Sequence, residues 1–364
     1  MNSPEIKVID EEKIKSKDSF DTEKTVFQKI TTNSFLKLII RKLIFYFIVF
    51  FIAISIAFLI PRIANPNYLD LYNQYTYVTP EQKEALRAQL IKYFAYGEDL
   101  WVQYVNFLRN FFLHFDLGVA AFGGDMLIPV TEIVSRALPY TFILVIPTLI
   151  VSFFIGNWIG AWVGYKETKP RIVVYWIFIV LQAAPFYWLG YVFFDILIMR
   201  LDLFPFWDQS IPTLMWRWDV LQVVISNFFF LFIMLTACTI GGWSSGARAM
   251  MVYEKHTGYI YYGQKLGFKE RKLRKYAYRN CILSQFTGLN LRFNGLIGQT
   301  LIIERLFNWP GVGDKLIQSA IDGDLAMIMG SFLIIILVIV IGNFIIDICY
   351  GILDPRIRVG GGAE

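Results

Sequence analysis

Histidine is nearly absent from this sequence: His114 and His256 are the two in 364 residues. They are far apart in the chain and do not suggest a His-based catalytic or metal centre. Cysteine is scarce as well. Cys238, Cys281 and Cys349 lie in or beside apolar runs, with neither ligand spacing nor a paired framework, so neither a metal nor a disulfide is implied. No Gly-x-x-x-x-Gly-Lys-Ser/Thr loop is present, so nothing in the chain cradles the phosphates of ATP. A His-Glu-x-x-His run is missing too, and with it one route to a membrane-embedded enzyme. There is no internal repeat, and mid-span charges are few, which argues against a secondary transporter working alone. No catalytic residue and no bound cofactor are expected in this chain.

What the chain does have is apolar length. It is 56% hydrophobic and 17% charged, with a mean hydropathy of +0.50, too apolar for an ordinary soluble domain. The expected architecture is an all-α polytopic membrane protein. Spans of about 20 residues are expected near 39–60, 140–163, 173–199, 220–240, 286–303 and 325–350, the third interrupted by Pro185. Residues 1–38 read as a polar, mixed-charge tail and 39–61 as the first span. Residues 62–137 form a helical external insertion, 138–358 the core, and 359–364 a short tail. Basic residues at Arg41 and Lys42, at Lys166, Lys169 and Arg171, and throughout 246–285 put both termini in the cytoplasm by the positive-inside rule. The net charge of +5 therefore reports topology, and no nucleic-acid partner is expected.

Within the insertion, Thr79-Pro80-Glu81-Gln82 opens one expected helix. Gly97-Glu98-Asp99 opens another, whose apolar face holds Trp101, Tyr104, Val105, Leu108, Phe111 and Phe112. That face is expected to pack on the protein's own outer surface, with the outer leaflet as the alternative. Trp207, Trp216 and Trp218 read as interfacial anchors. Gly156, Gly160 and Gly164 fall at i, i+4 and i+8, a spacing that lets a neighbouring backbone come close.

The stretch 246–285 is the most informative. Residues 246–280 carry nine Lys and Arg against Glu254 and Glu270. Residues 259–266 suit a short helix, and Gly267 sits where a helix end wants a residue tolerant of positive φ. Residues 269–280 suit a second helix with Leu273, Ala277 and Tyr276 on its apolar face. A helix–turn–helix exposed at the inner surface suits docking into a groove on a partner protein. Most basic loops, however, only set topology and touch anionic lipid, and composition alone leaves both readings open.

Gly258-Tyr259-Ile260-Tyr261-Tyr262-Gly263-Gln264-Lys265-Leu266-Gly267-Phe268, with Arg279-Asn280-Cys281-Ile282-Leu283 after it, resembles the coupling loop of ABC importer permeases. Tyr261, Tyr262 and Gly263 stand where that motif has Glu-Ala-Ala, Gly267 is in place, and Ser284 replaces the usual Pro. Phe115-Asp116-Leu117-Gly118, the stretch 130–138 and Pro139-Tyr140-Thr141 resemble the lead into the second span of dipeptide/oligopeptide permeases. Phe307-Asn308-Trp309-Pro310-Gly311-Val312-Gly313 resembles their Trp-Pro-Gly loop. Residues 347–350 with Leu353-Asp354-Pro355-Arg356-Ile357-Arg358 resemble their C-terminal signature. After the first span, Pro61-Arg62-Ile63-Ala64-Asn65-Pro66 lacks the family's usual Gly-Asp.

The resemblance implies the type I ABC importer transmembrane fold and one of two related permease subunits in a plasma (inner) membrane. It also implies two ATPase subunits carrying ATP and Mg, and an external binding protein that delivers solute. ATP-driven closure of the ATPases would then rock the spans so that the cavity changes sides. Residues 259–268 would couple to the ATPase. The path would draw on Gln182 in the third span, Asn290, Asn294 and Gln299 in the fifth, and Asn343 and Asp347 in the sixth. Hydrogen bonding between helices is the alternative for all of them, with Asp347 paired to Arg356 or Arg358. Oligopeptides, oligosaccharides and nickel are all substrates of similar permeases.

Overall fold

The computed structural model describes residues 35–60, 62, 63, 79–81, 84, 88, 91, 98–120, 128–203 and 218–353. Most of the expected 79–93 helix, Trp207, Trp216, Arg356, Arg358 and both terminal tails lie outside the described residues, as does the side chain of Trp218.

Helix follows helix along the chain. α1 spans Phe35–Ile60 and α2 spans Leu100–His114, followed by a two-residue antiparallel pair, β1 (Val119–Ala120) and β2 (Ile128–Pro129). α3 (Val130–Tyr165), α4 (Lys169–Ala183), α5 (Phe186–Phe194, continued as a π-helical turn Asp195–Arg200) and α6 (Trp218–Glu254) follow. Next come α7 (Gly258–Lys265), α8 (Glu270–Phe286), α9 (Leu289–Leu306), α10 (Val312–Asp322) and α11 (Leu325–Leu353). Two compact units result: residues 50–342, and the chain ends 1–49 with 343–364.

By length and composition α1, α3, Asn227–Glu254 of α6, and α11 can each cross a membrane, and the bent pair of α4 and α5 is apolar enough to be either a fifth, broken crossing or a re-entrant loop. The expected third span is thus no straight rod. It bends by 106° at Ala184-Pro185, where proline has no N–H to give the helix ladder. α9, the expected fifth span, is less apolar because it carries Arg292, Glu304 and Arg305.

In the larger unit α3 and α6 form the central seam. An added Cβ on Gly160 would fall on the Ser244 carbonyl oxygen. One on Gly164 would come within 2.7 Å of the Arg248 carbonyl oxygen, and one on Gly156 within 2.5 Å of Trp243 Cβ. The glycine face read from the sequence is therefore a backbone-to-backbone contact. Trp243 is fully buried there, edge-on to Phe153 at 5.0 Å.

Three boundaries differ from expectation. α3 begins ten residues before 140 and runs through Pro139 and Pro147. α6 continues as helix to Glu254, so residues 246–254 are no loop. α10 was not foreseen. It starts after Gly311 and ends at Gly323, whose φ is +74°. The Trp-Pro-Gly stretch before α10 is tucked in, with Trp309 buried and its Nε1 donating to the Tyr140 carbonyl at 3.1 Å.

α2 packs, as expected, on the protein itself, but by a rotated face. Gln103, Phe107 and Phe111 are its buried residues, whereas Trp101, Val105 and Phe112 are exposed. Phe107 and Phe111 meet Phe58 and Phe50 of α1. Gln103 goes inside because its Oε1 accepts from the buried Arg62 Nε at 3.1 Å, a pairing that hydropathy alone does not reveal.

In the smaller unit Asp347 accepts from Tyr46 Oη at 2.8 Å and pairs with Lys42 Nζ at 2.7 Å. Both of these partners are on α1; Arg356 and Arg358, the partners expected from the sequence, lie outside the described residues.

Candidate functional site: a projecting connector helix and a polar cavity

After α6 the chain turns through Lys255–Thr257 into the eight residues of α7. Thr257 takes the N-cap position, extended in backbone, and the helix stops at Leu266. Gly267 then adopts φ +76°, as its position after the helix end requires. Its N–H donates back to the Gln264 carbonyl, and that of Phe268 to the Gly263 carbonyl. α8 then starts at Glu270, one residue after Lys269.

α7 has two unlike faces. Ile260 is 1% exposed and sits in a cluster with Ala161, Ala247, Met251, Leu273, Ala277 and Cys281. This ties the helix to α3, α6 and α8. A Cβ on Gly263 would come within 2.6 Å of Leu273 Cδ2. The close approach that Gly263 permits is thus to the chain's own α8, not to a partner as its place in the motif suggests. On α8, Leu273, Ala277 and Cys281 are buried, whereas Tyr276, expected on that face, is exposed.

The opposite face of α7 is open. Tyr261 and Tyr262 are 59% and 70% exposed, Leu266 is 63% exposed, and Tyr259 and Phe268 are partly so. Gln264 and Lys265 are exposed beside them, Lys265 Nζ standing 5.3 Å from the Tyr261 ring centre and Lys272 Nζ 4.1 Å from that of Phe268. The result is an aromatic ridge with cations at its edge.

The base of the ridge is braced by hydrogen bonds. Tyr259 Oη donates to the Glu254 carboxylate at the end of α6, and Asn280 Nδ2 of α8 donates to Tyr259 Oη at 3.1 Å. Burial first, and then the bond to Glu254, raise the Tyr259 pKa above its ordinary value. Lys255 Nζ caps the Gly164 carbonyl at the end of α3 at 3.1 Å. Arg248 pairs with Glu167 at 2.6 Å. Cys281 Sγ donates to the Ala247 carbonyl at 3.4 Å, and burial, then the Glu254 carboxylate, push this thiol up to about 12. Three helices and α7 are fixed to one another, so a push on the ridge moves them together.

A polar cavity of about 630 Å³ opens between α4, α6, α8 and α9. Gln182 and Gln299 line it, as do Thr239, Ser284, Gln285 and Arg292. Asn290 and Asn294 are half-buried on α9 but do not line this cavity, and Asn343 and Asp347 belong to the other compact unit. Arg292 is not among the residues that the sequence assigned to the path. Its Nη2 donates to the Gly242 carbonyl at 2.6 Å and its guanidinium stands 4.7 Å from the Trp243 ring centre. No carboxylate lies within ion-pair distance of it among the described residues. An arginine inside an otherwise apolar span was the signal available.

Gly242-Trp243-Ser244-Ser245-Gly246 has Gly-x-Ser-x-Gly spacing, but it lies inside α6. Ser244 is buried and donates to the Gly241 carbonyl, and the strand-to-helix turn of a nucleophile elbow is absent there.

The family model for binding-protein-dependent transport system inner membrane components matches residues 156–359. This is more than half the chain and includes the connector and the cavity. The chain belongs to this family. It is a permease subunit of an ABC importer, a multi-pass membrane protein that transports and does not itself hydrolyse ATP. This transport-system component resembles the oligopeptide transport system permease protein AppB of Bacillus subtilis, at 29% identity over 77% of this chain and 87% of that one. The metal-staphylopine import system permease protein CntB of Staphylococcus aureus is 25% identical over 89% of this chain and 99% of its own. The dipeptide transport system permease protein DppB of Lactococcus lactis is 24% identical over 78% and 87%.

Proposed function

We propose that this permease forms, with a second homologous permease subunit, the path for ATP-driven uptake of oligopeptides delivered by an external binding protein. α7 enters a groove on one of two ATPase subunits, which hold ATP and Mg on the cytoplasmic side together with both termini of this chain. The observation that carries the reading is the division of α7 into a buried face, Ile260 and Gly263, and an exposed aromatic one, Tyr261, Tyr262, Leu266 and Phe268. A helix anchored on one side and apolar on the other needs a partner for the open side. Closure of the ATPase pair then moves α3, α6 and α8 as one body and changes the side to which the cavity opens.

In this reading Gln182, Gln299 and Arg292 contact solute through the cavity. Asn290 and Asn294 are further polar groups along the path. Two relatives named for peptide transport support the substrate class. The metal-staphylopine permease supports a second reading, a small metal chelate. Nothing in the chain favours an oligosaccharide.

Leu266→Asp tests the docking directly. With the importer assembled in nanodiscs, it should release the ATPase subunits while the two permeases stay paired. Retention of the ATPase at the wild-type level would refute the docking. Uptake of a random peptide library against a metal-chelate series, both presented with the binding protein, separates the two substrate readings.

A further inference from the structure

We propose that a second cavity, between α3 and α8, is a binding site for an anionic phospholipid of the inner leaflet. It has a volume of about 410 Å³ and is independent of the solute path. Its basic wall is one face of α8. Arg271, Arg274, Lys275 and Tyr278 fall at i, i+3, i+4 and i+7, neighbouring positions on a helix surface. Leu273, Ala277 and Cys281 are buried against the body, which turns these four residues toward the cavity.

The facing wall is aromatic. Trp158 and Trp162 stand on successive turns of α3, with rings parallel to within 4° and centres 5.8 Å apart. Trp158 is 57% exposed, whereas Trp162 is partly buried, with the Arg171 guanidinium of α4 4.7 Å from its ring centre. Ala161 and Met251 form the apolar floor.

None of the three bases has a carboxylate within 4.0 Å among the described residues. Glu167, the acid at the end of α3, is taken by Arg248. Glu270 precedes the face on α8 and makes no ion pair with it among the described residues. Three cations without a carboxylate partner, beside a stacked tryptophan pair whose outer ring is exposed, make an amphipathic cleft. Its basic edge matches a phosphate, and its aromatic wall and apolar floor match the glycerol and first methylenes of a lipid. Tryptophan is at home at the membrane interface, and basic clefts between spans on the cytoplasmic side hold anionic headgroups. A protein partner would leave the tryptophan wall facing lipid and explain only half of the cleft. The site rests on the cytoplasmic placement of α8 and not on the identity of the solute.

The test uses the assembled importer, exchanged into detergent with phosphatidylcholine, phosphatidylglycerol or cardiolipin, with bound lipid counted by native mass spectrometry. The triple variant R271Q/R274Q/K275Q should retain about tenfold less of the two anionic lipids, with phosphatidylcholine unchanged. Trp158→Ala should show a smaller loss. The charge-preserving triple R271K/R274K/K275R should stay near wild type, separating charge from fold. K13Q/K15Q/K17Q removes the same charge from the N-terminal tail and should change nothing.

Equal loss in the tail variant would reduce the effect to bulk charge and overturn the site. So would displacement of the lipid by inorganic phosphate alone, which would mark a free-anion site. Loss of the ATPase subunits from the α8 triple, with lipid retention unchanged, would give the face to the ATPase and overturn the proposal as well.

Discussion

Gly156, Gly160 and Gly164 on α3 and Gly295 and Gly298 on α9 occupy exposed-looking helix faces of similar sequence character, yet their surroundings are opposite. On α3 the space beside each glycine is filled by the backbone or Cβ of α6. On α9 nothing stands within 4 Å of either position, and Leu291 on the same face is 79% exposed. The first set lets two helices lock into one body. The second keeps a wall of the polar cavity low and open, Gly295 being one of its lining residues. Small residues in a span therefore mark a joint or an opening, and only the neighbouring helix tells which.

The sharpest way to break this contrast is Gly160→Leu. The added side chain has no room against Ser244, and overpacking of about 3 kcal/mol or more should abolish monodisperse protein in fluorescence-detected size exclusion. Arg292→Leu comes next. It removes the bond to the Gly242 carbonyl, a charged hydrogen bond worth about 1.5–3 kcal/mol, and should lower both thermal stability and uptake. A preserved Tm with lost uptake would assign Arg292 wholly to the path.

Gly267→Val should cost about 1–2 kcal/mol through its left-handed backbone, re-aim α8, and lower ligand-stimulated ATP hydrolysis in proteoliposomes. Gly267→Asn should recover most of that activity. Gly295→Ala has the opposite sign. With open space around it and a helical backbone, it should stabilise the chain by about 0.5–1 kcal/mol, seen as a raised Tm, whereas Gly160→Ala lowers it. The smallest effect belongs to Lys272→Ala. Its loss of one exposed cation–π contact with Phe268 should cost about 0.5 kcal/mol and leave ATPase binding unchanged.

The spans and the connector were legible in the sequence for clear reasons. α1, α3 and α11 announce themselves by apolar length, and α7 lies within one residue of its expected limits because Gly267 fixes its end. The glycine spacing on α3 likewise survived contact with the structure. Elsewhere the deciding interactions join residues far apart in the chain. The extension of α6 past Gly246 was hidden because Arg248 looked like loop charge, whereas it pairs with Glu167 and stands 5.2 Å from the Tyr175 ring centre. The burial of Gln103 depends on Arg62, and Asp347 pairs with Lys42, 305 positions earlier. α10 had a readable stop in Gly323, but its polar residues carried no span signal. Of the residues proposed for the path, Gln182 and Gln299 meet at one cavity because α4 and α9 flank α6 there, a convergence no periodicity encodes.

α6 has a further consequence as a mechanical element. Its 37 unbroken residues make a rod about 55 Å long, well beyond the roughly 30 Å thickness of a bilayer's hydrocarbon. A rotation of about ten degrees around its midpoint sweeps each end through about 5 Å. The end carrying Glu254 is braced to α7 through Tyr259, so under the proposed docking force would enter at the tip of the rod, where leverage is greatest. The cavity-lining Thr239 and Trp243 lie nearer the fulcrum. In that reading they trade distance for force, a large stroke at the surface becoming a small and forceful displacement beside the cavity.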